Sequence, residues 1–355
     1  MTSLLPKSAT LVAALAMAPL LSGTAAFAVP VGGYGDLVEA VAPAVVFIEV
    51  TGAVQRTQNP EGMPDALRER FGQQQPQPQG GLGSGFLVSG DGQIVTNHHV
   101  IDGAQRVEVT LADGTTYTAE IIGSDPATDI AVLQITPQED LPFVTFGSSE
   151  EMRVGDEVIA VGSPFGLSAT VTSGIISGKA RDINAGPYDA FLQTDAAINR
   201  GNSGGPLFNN AGEVIGVNTA ILSPGGGSVG IGFAVPSDMV RDIVADLADD
   251  GVVTRGWLGV QIRPMSDEVA QVLGYDGTTG AVIEAVSPDS PAARAGLQTG
   301  DIVLRFDGAE IRELRDLTGA VAATDPESTA QIDILRRGRA MSLEVTIGTL
   351  APQKA

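Results

Sequence analysis

From Gly83 to Val235 the chain repeats one pattern, a short apolar run closed by a turn signal such as Asp91-Gly92 or Asp113-Gly114. That punctuation leaves room for many short strands and few long helices, and so predicts a β-sandwich or barrel. With 45 glycines and 21 prolines in 355 residues, turns are affordable throughout. Upstream, Val45-Val46-Phe47-Ile48-Glu49-Val50 reads as a first strand, because β-branched residues dominate it. Residues 52–80 then lose hydrophobicity and end in a Gln/Pro-rich run that cannot bury enough surface to order itself. They read as a long mobile loop holding one short amphipathic turn, Met63 to Phe71. After Val235 the period changes. Ser237 is placed to cap a helix whose apolar positions Val240, Ile243, Val244 and Leu247 follow 3.6-residue spacing, and Gly251 stops it. Residues 251–256 form a hinge. Strands near 257–262, 280–286, 301–306, 331–336 and 341–347, with helices near 290–295 and 313–323, make a smaller α+β domain over 257–348. The tail is 349–355.

The N-terminus reads as an export signal. Lys7 precedes a short apolar run, Ala9 to Leu21, broken by Pro19, and Ala26-Phe27-Ala28 presents small residues where a signal peptidase cuts. Residues 1–28 are the leader, the mature chain starts near Val29, and the first domain spans 29–250. Once the leader is removed no segment is expected to span a membrane. The net charge of −22 argues against nucleic acid or an anionic bilayer as partner, since both repel such a surface. Zero cysteine excludes disulfides and thiolate chemistry, and two histidines leave little for a metal cage. No metal or organic cofactor is indicated.

The chemistry centres on Gly201-Asn202-Ser203-Gly204-Gly205. Flanking glycines permit a tight turn and let a substrate carbonyl approach main-chain amides, which suits a nucleophile. The run also matches the G-x-S-x-G elbow of α/β-hydrolases, but that fold needs a histidine after the serine. Both histidines here, His98 and His99, precede Ser203. The order His, Asp, Ser of chymotrypsin-type barrels is what remains. They lie between the apolar residues Ile94-Val95-Thr96 and Val100-Ile101, so their neighbouring side chains are expected to point opposite ways, and only one faces the serine. Among the acids, Asp129 heads the apolar strand Ile130 to Ile135, Asp125 and Asp102 read as turn residues, and Asp195 in Gln193-Thr194-Asp195 is the strongest rival.

Three stretches resemble the HtrA (Deg, Do-type) serine proteases. Thr96-Asn97-His98-His99-Val100 is similar to the family's T-N-x-H-V motif, Asp125 to Val132 to its D-x-x-(S/T)-D-(I/L)-A-(V/L) stretch, and Gln193 to Leu207 matches almost throughout. The resemblance implies a mostly β protein, a chymotrypsin-like double β-barrel followed by a small α+β PDZ domain. It selects His99 as base, Asp129 as orienting acid and Ser203 as nucleophile, and puts the oxyanion hole at Gly201-Asn202-Ser203, with the amides of Gly201 and Ser203 as donors. It also implies a regulatory role for Arg181, in the loop Gly178 to Asp189, as sensor of the partner domain. Asn202 stands where digestive trypsins carry the aspartate that pairs with a freed N-terminus. Activation is therefore expected from loop ordering, not from cleavage.

The S1 pocket is expected from Ala197, Ile198 and the strand Asn218-Thr219-Ala220-Ile221-Leu222. Lacking an acidic floor, it predicts cleavage after Val, Ala or Ile. Ser223 to Gly230 borders it as a moving part. In the second domain, Arg255-Gly256-Trp257-Leu258-Gly259-Val260 resembles the carboxylate-binding loop of HtrA-type PDZ domains, and Val260-Gln261-Ile262 should accept an added peptide strand. Gly296 to Ile302 matches another PDZ stretch, and too few residues follow Ile347 for a second such domain. The leading expectation is an exported, ATP-independent, periplasmic serine endopeptidase that degrades misfolded or unfolded envelope proteins, with the PDZ domain binding substrate C-termini. A client-binding chaperone with secondary proteolysis, and a regulatory protease that cuts one stress-signalling target, are the alternatives. An intact triad weighs against the first, and the cleavage site Ala26-Phe27-Ala28 against an anchored form of the second. The resemblance implies a homotrimer and leaves room for larger assemblies through 52–80.

Overall fold

The computed structural model describes residues 33–52, 80–163, 169–183, 185–199, 201–223, 227–265, 270 and 279–350. The expected leader and most of the 52–80 loop, with its Met63 to Phe71 turn, lie outside the described residues.

The recurring apolar runs close into two six-stranded barrels. The first contains β1 (Val45–Gly52), β2 (Gly80–Leu87), β3 (Gln93–Thr96), β4 (Ala104–Thr110), β5 (Thr116–Asp125) and β6 (Ile130–Gln134), in the order β1-β2-β3-β6-β5-β4. The second contains β7 (Glu157–Gly162), β8 (Thr170–Arg181), β9 (Phe191–Thr194), β10 (Pro206–Phe208), β11 (Val214–Ile221) and β12 (Gly232–Pro236), in the order β10-β11-β12-β9-β8-β7. Closure removes the free strand edges that an open sheet would expose. One apolar cluster, including Ile48, Phe86, Leu133, Ile159 and Val217, runs through both barrels without a break. Burying such side chains contributes roughly 1.5–3 kcal/mol each, which holds the barrels together without any covalent cross-link.

The helix Ser237–Asp249 seals the protease unit, burying Val240, Ile243, Val244 and Leu247 as their spacing predicts. Ser237 does not cap it. Its hydroxyl instead donates to the Gly147 carbonyl at 2.8 Å. Gly251, at φ +80°, ends the helix by donating its N–H to the Leu247 carbonyl at 3.1 Å. No helix among the described residues is long and apolar enough to cross a membrane.

The second unit begins with β13 (Gly256–Trp257) and continues with β14 (Val260–Pro264), β15 (Ala281–Val286), β16 (Ile302–Phe306), β17 (Ala309–Glu310), β18 (Thr329–Arg336), β19 (Arg339–Thr346) and β20 (Gly348–Thr349). The main sheet runs β14-β15-β16-β18-β19, while β13 pairs with β20. Helices Pro291–Ala295 and Leu314–Ala322 cover a core that includes Leu258, Ile283, Val303, Phe306 and Ile332. Within this sheet β14 is an edge strand, paired only with β15.

Candidate active site

His98 to Ile101 form a single helical turn after β3, not a continued strand. Strand alternation therefore does not separate the two histidines, but neighbours on a helical turn diverge by about 100°. His98 turns to Ser124, with Nδ1 3.2 Å from its hydroxyl oxygen. His99 turns to Asp129. Its N–H donates to Asp129 Oδ1 at 2.9 Å, and its Nδ1 lies 2.7 Å from Oδ2. An ionised carboxylate can only accept, so the ring proton sits on Nδ1 and leaves Nε2 a free acceptor.

Asp129 occupies the turn between β5 and β6 at φ +61°, a left-handed backbone that aspartate tolerates better than most residues. Two bonds to its carbonyl hold that conformation, from His98 N–H at 3.1 Å and from Asn97 Nδ2 at 2.8 Å. The same Asn97 Nδ2 donates to Thr219 Oγ1 in the second barrel at 2.9 Å, so this fully buried amide ties the acid loop to the opposite wall. Asn97 stood in the T-N-x-H-V run without a role; only the fold shows what it touches. The rival acids are engaged elsewhere. Asp195 Oδ1 accepts the Ile175 N–H at 2.7 Å, and Asp125 is no solvated turn residue but a buried carboxylate paired with Arg255.

Ser203 lies in the turn between β9 and β10, facing the first barrel across the seam. Gly204, at φ +83°, has to be glycine, because a Cβ there would meet Ser84 O at 2.2 Å. The Ser203 hydroxyl donates to the Thr219 carbonyl at 3.5 Å, and among the described residues it makes no hydrogen bond to His99. The His99–Asp129 contact is thus made, while Ser203 and His99 are not bonded to each other. In the expected oxyanion run, the Asn202 N–H is spent on the Asn199 carbonyl at 3.0 Å. Its side chain is buried, so Asn202 spaces the turn and offers no donor. The N–H groups of Gly201 and Ser203 make no main-chain hydrogen bond among the described residues.

This geometry has close counterparts. The trypsin-like peptidase domain model matches residues 83–217, and the PDZ domain model matches 256–347. The chain is 43% identical over 363 residues to a probable periplasmic serine endoprotease DegP-like of Brucella suis biovar 1 (strain 1330), covering 92% of this chain and 70% of that protein. It belongs to the HtrA (DegP-like) serine endoproteases. A relative of the same description from Halomonas elongata is 43% identical over 348 residues, covering 93% of this chain and 73% of its own. The solved HtrA-type protease AlgW with decapeptide superposes with TM-score 0.75 at 38% identity, covering 90% of this chain and 100% of that one. The serine endoprotease from Yersinia pestis gives 0.64 at 34%, covering 90% and 98%.

In this HtrA-type enzyme a cavity of about 360 Å³ opens beside His99, walled by Ala127, Tyr188, Phe191, Thr219 and Ala220. Of the expected pocket residues it gathers Thr219 and Ala220. Ile198 is packed in the second barrel's core, and Asn218 is fully buried with Nδ2 on the Pro206 carbonyl at 3.0 Å. Asn218 thus braces the serine turn, its carbonyl accepting the Gly204 N–H at 2.8 Å. Ala197 lends its carbonyl to Thr172 Oγ1 at 3.0 Å, while Ile221 is half-buried and Leu222 exposed.

Three arginines make contacts that their sequence neighbours do not reveal. Arg181 Nε donates to Gln193 Oε1 on the neighbouring strand at 2.9 Å. Arg315 crosses between the units, its Nη1 donating to the Ala180 carbonyl at 2.7 Å, on a residue at φ +52°. The Arg255 side chain turns to the protease unit. Its guanidinium grips Asp125 of the protease unit, with Nη1 3.0 Å from Oδ1, and lies 4.6 Å from the centre of the Tyr188 ring. Burial pushes the Tyr188 phenol up, and the Arg255 charge partly offsets this. In the rest of that segment Leu258 is buried, Gly259 turns at φ +80°, and Val260, Gln261 and Ile262 lie on the edge strand β14.

Proposed function

We propose that the protein is an exported, ATP-independent endopeptidase of the periplasm that degrades misfolded or unfolded envelope proteins, with Ser203 as nucleophile. The observation that carries this reading is the double hydrogen bond from His99 to Asp129 at the seam that faces Ser203. Asp129 fixes the tautomer with Nδ1 protonated, so Nε2 is the base. When a peptide enters, the Ser203 hydroxyl leaves the Thr219 carbonyl, gives its proton to Nε2 and attacks the scissile carbonyl. The imidazolium then protonates the departing amine. The oxyanion forms against the amides of Gly201 and Ser203, and each such donor is worth roughly 2.7–4 kcal/mol of barrier. Water repeats the cycle on the acyl-enzyme.

The edge strand β14 supports capture of substrate C-termini by strand addition, main-chain bonds giving affinity whatever the sequence. Solved relatives titled with a decapeptide and with a tripeptide add support for a peptide ligand. The periplasmic setting rests on the relatives' description and the N-terminal leader. The test compares wild type with Ser203→Ala on casein. The variant should lose about 10⁶-fold in kcat while remaining folded, and equal degradation by both removes the assignment.

A further inference from the structure

Behind the serine turn, on β2 of the first barrel, a single hydroxyl residue makes four hydrogen bonds that no part of the triad chemistry explains. Ser84 is fully buried. Its Oγ donates to the Gly201 carbonyl at 2.5 Å and accepts the Ser163 N–H at 2.8 Å. Its own N–H donates to the Ser203 carbonyl at 2.9 Å, and its carbonyl accepts Thr96 Oγ1 at 2.7 Å. A hydroxyl has one proton to give, and here it goes to the turn that carries the nucleophile.

The placing of these bonds matters more than their number. Ser84 holds the carbonyl of Gly201 and the carbonyl of Ser203, so it fixes the peptide planes on both sides of the Asn202–Ser203 peptide. That central plane carries the Ser203 N–H, one of the two amides aimed at the oxyanion. Thr96 stands three residues before His99. Through it the same residue is linked to the segment that bears the base. Ser163 closes the far side at the end of β7. The second barrel's turn is thereby registered against the first barrel by one side chain. Gly204 records how close the approach is, since a Cβ there would meet Ser84 O at 2.2 Å and Thr96 Oγ1 at 2.3 Å.

We infer that Ser84 is a positioning residue for the oxyanion hole: it never touches substrate, and it sets the angle at which the Ser203 amide meets the developing charge. This inference rests on the reading of Ser203 as nucleophile. Oxyanion stabilisation is felt in the transition state and little in the bound substrate, so the loss of Ser84 should appear in kcat and not in KM.

The experiment measures Ser84→Ala, Ser84→Cys and Ser203→Ala on one peptide substrate, together with the affinity of a peptide boronic acid of the same sequence, whose boron-bound oxygen occupies the hole. For Ser84→Ala, kcat should fall roughly 10- to 100-fold with KM held within about twofold, and boronate affinity should fall by the same factor. Ser84→Cys keeps the volume and replaces the hydroxyl by a weak donor, so its kcat should fall less. If the alanine variant fails to fold, the cysteine variant carries the test, and an unchanged kcat and boronate affinity there overturn the inference. So does a Ser84→Ala enzyme that loses only thermal stability, or whose KM rises in step with the loss of kcat/KM. Ser203→Ala separates the two readings. If it is inert while Ser84→Ala is unimpaired, only the Ser84 inference falls; if it retains full activity, the nucleophile assignment falls first.

Discussion

Two junctions hold this molecule together, and they are built differently. The seam between the barrels is closely packed: Ser84, Thr96, Asn97 and Asn218 are fully buried there, and their hydrogen bonds cross or brace it next to the site. The junction between the protease unit and the PDZ unit encloses a cavity of about 560 Å³, bordered by Tyr188, Met239, Asp246, Arg255, Arg315 and Gly319. Across it run the Arg255–Asp125 pair, joining hinge to barrel, and the bond from Arg315 to Ala180. Packed interiors resist small displacements, whereas a few directional bonds around a void can be exchanged as a set. The seam is therefore the stiffer of the two, and the domain junction depends on a few directional contacts.

The sharpest way to break the contrast is inside the seam without disturbing its shape. Asp129→Asn preserves the left-handed turn, because asparagine accepts φ +61° as readily, but it favours the wrong histidine tautomer. The expected result is a fall in kcat of about 10⁴-fold at an unchanged unfolding midpoint, read from steady-state kinetics and thermal melts. A merely structural acid would show the reverse. At the domain junction, Arg255→Ala strands a carboxylate that is only 7% exposed. The protease unit should lose roughly 3 kcal/mol in urea unfolding, because a buried charge is left without its partner. Arg255→Lys should not restore it, since an ammonium cannot make the two-pronged contact. The smallest effect is at the cavity wall. Burial raises the Asp246 carboxyl above its ordinary value, and the Asp242 and Asp250 charges add to this, while the Thr254 N–H opposes it. A raised carboxyl means the folded state holds the proton more tightly. Its penalty is absent below the ordinary carboxylate range and fully present above the raised value. Asp246→Asn should thus stabilise the protein by about 0.5 kcal/mol at neutral pH, since the helix C-terminus disfavours negative charge, and the gain should vanish on acidification.

These contrasts also mark what was legible in the residues alone. The two histidines and the Gly-Asn-Ser-Gly-Gly run carry the order of the proposed triad on their face, and the turn-punctuated runs announce strands that close into barrels. The helix after Val235 shows in its period. What could not be read is whatever depends on approach between distant segments. Ser84 is one serine in a Gly-rich strand, distinguished only because residue 201 arrives against it 117 positions later. Arg255 sits inside a loop motif, so its sequence neighbours point to the peptide groove, while its long side chain reaches back 130 positions to Asp125. The helical turn at His98 was hidden because Ile94-Val95-Thr96 and Val100-Ile101 look like one interrupted strand.

The proposed triad is divided between the two barrels, and that division would shape how the enzyme comes into being. His99 and Asp129 belong to the first barrel, and Ser203 belongs to the second, which is complete only at Pro236. A chain emerging from its N-terminus therefore exposes a base and an acid with nothing to activate, for as long as the second barrel is unfinished. On the proposed mechanism neither half cuts alone, so the order of the sequence itself would keep the protease disarmed until the second barrel closes.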